Sequence, residues 1–172
     1  MDDLRFMNYE FTMKTHTITL TYREFEHIDE LEPGHALLVR KAIEIAGKSY
    51  SPYSRFPVGA AVLLDDGRVF SGNNQENLSY PAGTCAERTV LNFVKANFPE
   101  SKIVALAVTA PASTSFHPVT PCGICRQVIT EIESLQADPI RIFLHKINGP
   151  TYGFENAGSL LPLAFEEANL GK

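Results

Sequence analysis

Apolar and polar positions alternate along this chain with two different periods. Residues 15–22, THTITLTY, set threonine against mostly apolar side chains at a period of two, which predicts a strand with one buried face. Residues 34–50, GHALLVRKAIEIAGKSY, carry Leu37, Leu38, Val39, Ala42, Ile43, Ile45 and Ala46 at helical spacing, which predicts an amphipathic helix. Pro52 and Pro57 break it, and Asp66-Gly67 predicts a tight hairpin turn between VGAAVLL (58–64) and RVFSG (68–72). Residues 84–97 read as a helix and 103–109, IVALAVT, as a buried strand. A loop rich in Pro, Ser and Thr follows at 110–121, then a helix over 122–135 and a strand over 140–145, IRIFLH. Gly149-Pro150 marks a turn, and SLLPLAFEEANL (159–170) reads as a short C-terminal helical tail. A hairpin followed by helix–strand–helix–strand predicts an α/β fold, with helices packed on a mixed sheet.

Composition narrows the function classes. A chain of 172 residues has length for one domain with a real core. The net charge is −5 with no dense Lys/Arg cluster, whereas phosphate neutralisation gives nucleic-acid binders a basic stripe. The expected partner is therefore a small molecule or a protein, with no nucleic acid. Residues 1–12 are loosely specified, and Met7 and Met13 offer alternative starts to Met1. The first residues are acidic and lack an apolar core, so no signal peptide is expected, and no apolar run approaches a membrane span. Three cysteines, an odd number, fit a metal site in a reducing cytoplasm better than a disulfide scaffold.

All three cysteines lie in GTCAERTVLNFV (83–94) and VTPCGICRQVITEI (119–132). Cys122 and Cys125 are i and i+3, which brings both sulfurs to one face of a helix start. Pro121 is a helix-opening residue, and Cys85 also stands near a predicted helix start. Unpaired N–H groups and the positive end of the helix dipole favour thiolate there, the form zinc requires. Three thiolates leave a tetrahedral ion one ligand short. Either water takes that corner, as in a catalytic site, or a fourth side chain closes it, and His117 is the nearest candidate in sequence. His16, His27, His35 and His145 read as surface or packing histidines.

Glu87, two residues after Cys85, is placed beside such a metal rather than on it, where a carboxylate can relay a proton; alone, it would read as a solvated helix-start glutamate. A zinc ion with three thiolates carries a formal charge of about −1, a weak Lewis acid unless charge is withdrawn. Arg88 (i+3 from Cys85) and Arg126 (i+4 from Cys122) are candidates to withdraw it, or else to sit on solvated helix faces.

Cys85-Ala86-Glu87 and Pro121-Cys122-Gly123-Ile124-Cys125 match the zinc deaminase signature, with Cys in the first position. With SPYSRFPVGAAV (51–62), GNNQENLSY (72–80), CAERT (85–89), PCGICRQV (121–128) and LLPLAF (160–165), the chain resembles the homotetrameric three-cysteine cytidine deaminases over about residues 36–165. The resemblance implies a single-domain α/β/α sandwich with a mixed, about five-stranded sheet. It implies one zinc per chain, held by Cys85, Cys122 and Cys125. The implied reaction converts cytidine and deoxycytidine to uridine and deoxyuridine: zinc-bound hydroxide attacks C4, and Glu87 moves the proton to N3 and then helps expel ammonia. Phe56 matches a ring packed on the base, Asn74 and Glu76 match a pair that holds ribose hydroxyls, and Leu78 and Tyr80 share that loop. Phe165 matches an aromatic placed in an adjacent subunit's pocket, so the implied assembly is a homotetramer with shared sites.

An amide and a carboxylate at i and i+2 after a strand do point the same way in extended chain. Without the resemblance, however, NNQEN reads as turn chemistry and Phe56 as core. Residues 1–32 have no counterpart in the shortest family members and are expected to form an extension carrying an extra strand, ahead of a deaminase-like domain at 33–172. Leu78 stands where many members have a small residue, and the 110–121 loop is long. Three other readings stay open: a deaminase of a cytosine-bearing antibiotic such as blasticidin S, a non-catalytic zinc module, and a polynucleotide deaminase. The ribose block argues against the first and the acidic charge against the last.

Overall fold

A computed structural model describes residues 13–171. In chain order these form β1 (Arg23–Phe25), α1 (Pro33–Ala46), β2 (Gly59–Leu64), β3 (Val69–Asn73), α2 (Ala86–Asn97), β4 (Ile103–Thr109), α3 (Gly123–Gln136), β5 (Arg141–His145) and β6 (Thr151–Phe154). The strands make one sheet in the order β1-β6-β5-β4-β2-β3. The β4–β5 pair is parallel and the other neighbours are antiparallel, so the sheet is mixed, as expected.

Alternation in the strands sorts the core into two layers. Ala61, Ala105, Ala107 and Phe143 face α1, together with Leu38, Val39 and Ala42. Val62, Leu64, Leu106, Val108, Ile142 and Leu144 face the other way, beneath Val90, Leu91 and Val94 of α2 and Ile129 of α3. The result is an α/β/α sandwich with one helix on a surface of small side chains and two on a surface of large ones. The small side chains let α1 come close. A Cβ on Gly59 would lie 2.0 Å from the Ala42 carbonyl oxygen and 2.8 Å from the Ala46 nitrogen. Glycine in a strand ordinarily weakens it, so propensity alone makes Gly59→Ala stabilising. Backbone sits at the point of collision and cannot swing aside. Gly59→Ala is therefore expected to destabilise the chain by about 3 kcal/mol, read as a lower urea midpoint with an unchanged slope.

Several expectations are corrected. The period-two stretch 15–22 joins no ladder; the strand falls just after it, on Arg23–Phe25. The reason is the length of its partner. Register pairs Arg23 with Gly153 and Phe25 with Thr151, and β6 ends at Phe154, so residues 15–21 run past the last available partner. The sheet has six strands rather than about five, because β1 adds to the edge at β6. β6 itself, TYGF, is four residues long with a glycine inside, too short for periodicity to mark. The helix expected over 34–50 ends at Ala46, where Gly47 caps it and the Ser49 N–H turns back to the Ala46 carbonyl. The expected helical tail is two 3-10 turns, Gly158–Leu160 and Glu167–Leu170, separated by the stretch that holds Pro162. The expectation for residues 1–12 lies outside the described residues. No described helix is long and apolar enough to cross a membrane.

Candidate active site

Connectivity brings the cysteines together. α2 leads into β4 through a short connection, and α3 leaves from the far end of β4 on the same face of the sheet. Both helices therefore begin at the carboxyl end of β4, where α/β sheets bind ligands. A close approach seats α2: a Cβ on Gly72 would lie 2.9 Å from the Val90 nitrogen. Cys85 is the N-cap of α2, Cys122 is the N-cap of α3, and Cys125 lies in the first turn of α3.

The three sulfurs all lie within 4.8 Å of one another. A tetrahedral ion with Zn–S bonds of about 2.3 Å would hold its sulfurs about 3.8 Å apart, so a small contraction closes the cage. Cys85 is half-buried, Cys122 exposed and Cys125 buried, which leaves one side of the cluster open. No histidine belongs to the cluster among the described residues. His117, considered as a closing ligand, lies outside the cluster, and its Nδ1 is 2.7 Å from the Tyr152 hydroxyl.

The cluster is polarised for a cation. The Cys85 thiol is lowered to about 5, chiefly by the neighbouring Cys125 thiol and further by the Arg88 guanidinium, against the opposing effect of burial. Cys125 moves the other way, because it donates to the Cys85 sulfur and is buried. One sulfur thus carries charge before any metal arrives, and metal binding must release the remaining protons. Arg88 lies against this charge with its Nε buried and unpartnered and an Nη2 donating to the Gly83 carbonyl at 3.3 Å. The donor set, its open side and this cationic neighbour fit zinc.

Glu87 is only 5% exposed. Burial pushes its carboxyl above the ordinary carboxylate range, the charge on Cys85 adds to the rise, and a hydrogen bond from Cys125 opposes it. Arg126, considered as a second group to withdraw charge, binds backbone instead. Its Nε donates to the Pro121 carbonyl at 2.8 Å, Nη1 to the Leu160 carbonyl at 3.0 Å and Nη2 to the Thr120 hydroxyl at 3.1 Å. These bonds fix the turn that presents Cys122, and none of them reaches a sulfur.

A cleft of about 440 Å³ opens beside Cys85, lined by Tyr53, Ser54, Asn74, Glu76, Tyr80 and Arg88 among others. Asn74 Oδ1 accepts from the Ser49 hydroxyl at 2.6 Å and the Val58 N–H at 2.8 Å, and its Nδ2 donates to the Phe56 carbonyl at 3.0 Å. Glu76 Oε2 accepts from the N–H groups of Tyr53 (2.9 Å) and Ser54 (3.2 Å). Hydrogen bonding, led by the Ser54 side chain, lowers its pKa and keeps it ionised. Phe56 is half-buried behind these contacts and does not line the cleft. Tyr80 is exposed at the rim, with its ring 6.5 Å from that of Tyr53; Leu78 is exposed and outside the lining. Phe165 stands apart, on α3, where Gln127 binds both its N–H and its carbonyl and an apolar groove includes Leu135 and Leu170.

Sequence reasoning missed Ser49, Tyr53 and Ser54. The signal for the last two was weak, a Pro-Tyr-Ser turn whose amides face a carboxylate 22 residues or more further on.

The match to known proteins follows the same residues. Residues 33–137 match the model of the cytidine and deoxycytidylate deaminase zinc-binding region. A cytidine deaminase of Halalkalibacterium halodurans is 42% identical over 129 residues, covering 75% of this chain and 92% of the relative. One of Sporosarcina psychrophila is 37% identical over 133 residues, covering 77% and 92%. The crystal structure of cytidine deaminase from Burkholderia pseudomallei superposes with a TM-score of 0.67 at 38% identity, over 76% of this chain and 98% of that one. With the sulfur cluster and the buried carboxyl both falling inside the matched span, the chain belongs to the cytidine and deoxycytidylate deaminase zinc-binding family.

Proposed function

We propose that this chain catalyses the zinc-dependent hydrolytic deamination of cytidine and deoxycytidine to uridine and deoxyuridine, with release of ammonia. The observation that carries the reading is the trio of sulfurs within 4.8 Å of one another beside the buried carboxyl of Glu87. Cys85, Cys122 and Cys125 hold the ion. When bound, zinc lowers the pKa of a coordinated water toward neutrality and so supplies a nucleophile.

The chain's own residues then handle protons and orientation. Glu87 accepts a proton as solvent adds at C4 and delivers it to N3. It then takes the proton of the new C4 hydroxyl and passes it to the amine, which leaves as ammonia as the C4–N bond breaks and the C4 carbonyl forms. Its raised pKa suits a group that must hold a proton between those transfers. Arg88 draws charge from Cys85, which keeps a trithiolate centre acidic enough to act.

The sugar packs toward Asn74 and Glu76 in the cleft and the base toward Cys85, with the half-buried Phe56 backing the wall through its carbonyl contact to Asn74. Asn74 Oδ1 is already doubly occupied, which leaves an Nδ2 hydrogen to donate to a hydroxyl oxygen. Glu76 Oε1 has no partner among the described residues and accepts a hydroxyl proton. Leu78, Tyr80 and Phe165 are each more than half exposed on one chain. Their exposure supports a homotetramer in which copies share sites. The family match from residue 33 supports a deaminase domain at 33–172 with 1–32 as an extension, and the need for free thiols supports a reducing cytoplasm.

Ultraviolet assays with cytidine, deoxycytidine and blasticidin S test the assignment. The nucleosides are expected to lose the amino chromophore and release one ammonia each. Turnover of blasticidin S alone, or of none of the three, contradicts it.

A further inference from the structure

Residues 13–22 stand outside the catalytic fold and keep an unused strand pattern. They form no ladder among the described residues, and all of them are exposed. Ile18, Leu20 and Tyr22, spaced two apart, are 58%, 50% and 43% exposed, an apolar row that a free segment has no reason to carry. The segment runs directly into β1, which pairs with β6 along one edge; among the described residues its other edge has no neighbour in the sheet. Tyr22 anchors the junction, with its ring 4.6 Å from that of Tyr152 and 5.5 Å from that of Phe154. A free edge continued by an apolar, alternating arm is a template for another strand.

The sequence of the arm states what that strand is. Fold it antiparallel on a second copy about a two-fold axis at Leu20. Leu20 then meets Leu20, and Ile18 meets Tyr22. Next outward on the same face His16 meets Glu24, and at each end Lys14 meets Glu26. The opposite face sets Thr19 against Thr21 and Thr17 against Arg23. Apolar pairs thus fill the centre, opposite charges close both ends, and no like charges meet, which is the pairing that stabilises adjacent strands. A slip of one residue sets the apolar row against threonines. A slip of two, centred on Thr19, sets Lys14 against Glu24 but His16 against Tyr22, and leaves Glu26 unpaired.

We propose that residues 14–26 pair antiparallel with the same segment of a second copy of this chain, about an axis at Leu20, to join two sheets edge to edge. The contact is isologous, so each arm is satisfied by one partner arm, and the four arms of a homotetramer close as two pairs when both arms of a pair belong to the same tetramer. It covers an edge that would otherwise recruit foreign strands. It is independent of the catalytic assignment, since none of its residues lines the cleft.

Engineered cross-linking in the zinc-loaded full chain tests the register. Leu20→Cys is expected to form a disulfide-linked dimer of the chain under mild oxidation, on the order of 100-fold faster than Thr19→Cys, because residue 20 directly faces its own copy, with Cβ atoms about 5 Å apart, whereas residue 19 faces Thr21 and meets its copy only diagonally, at about 8 Å. The parent chain reports any background from its own cysteines. Lys14→Glu in the Leu20→Cys chain is expected to slow the linkage by setting carboxylate against carboxylate, and Lys14→Glu with Glu26→Lys to restore it. Restoration separates register-specific pairing from a general effect of charge. Linkage through Thr19 in preference to Leu20, linkage at neither position, or indifference to the charge exchange overturns the proposal. Turnover of cytidine reports on the separate catalytic assignment and is expected to be unchanged in these variants.

Discussion

Glu87→Gln is expected to lower turnover of cytidine on the order of 10³-fold or more while leaving the zinc content and the thermal midpoint close to those of the parent chain. The substitution keeps the shape of a side chain that is 5% exposed, so packing hardly changes. What it removes is a site for the travelling proton: an amide neither accepts one as solvent adds nor donates one to the leaving amine. Stability has little reason to fall, because burial already opposes ionisation of this carboxyl. If Glu87 were only a favourable helix-start charge, its loss would cost about 1 kcal/mol or less and turnover would survive. Parallel measurement of turnover, bound metal and thermal midpoint on one preparation separates the two cases.

Cys125→Ser is expected to act earlier, at the metal. Cys125 is fully buried and its sulfur lies within 4.8 Å of those of Cys85 and Cys122. A serine hydroxyl does not ionise near neutral pH and does not replace a thiolate ligand. Zinc per chain should fall well below one, with turnover below detection. Loss of the ion also removes its linkage to folding, about 4 kcal/mol when zinc is present at 1,000 times its dissociation constant. The variant is therefore expected to melt earlier than Glu87→Gln by a margin that shrinks when a chelator strips the latter. Retained zinc and retained turnover in Cys125→Ser would contradict the ligand assignment.

The sulfur cluster and the carboxyl beside it were legible in sequence because their spacing is local. Cys85 and Glu87 sit two apart at one helix start, Cys122 and Cys125 three apart at another, and helix N-termini restrict where such side chains point. The central strand was equally plain: Ile103–Thr109 is buried on both faces and reads as an unbroken apolar run. What escaped depends on partners distant in the chain. THTITLTY has a strand's alternation, yet a ladder needs a neighbour, and β6 stops at Phe154. Arg126 has the right helical offset from Cys122, but the carbonyls of Pro121 and Leu160 take its guanidinium. Asn74 was read as a sugar ligand, and only the fold reveals that Ser49, Phe56 and Val58 hold it in place. Periodicity reports burial, and offset reports helical faces; neither reports which distant backbone group a polar side chain will meet.

The most direct test of the central claim is a titration of metal-free chain with zinc, following cytidine turnover and bound metal together. Turnover should rise in proportion to zinc and level off at one ion per chain, and a chelator should return it to baseline. Full turnover in chain shown to hold no metal, or a plateau of bound zinc with no gain in turnover, would contradict it.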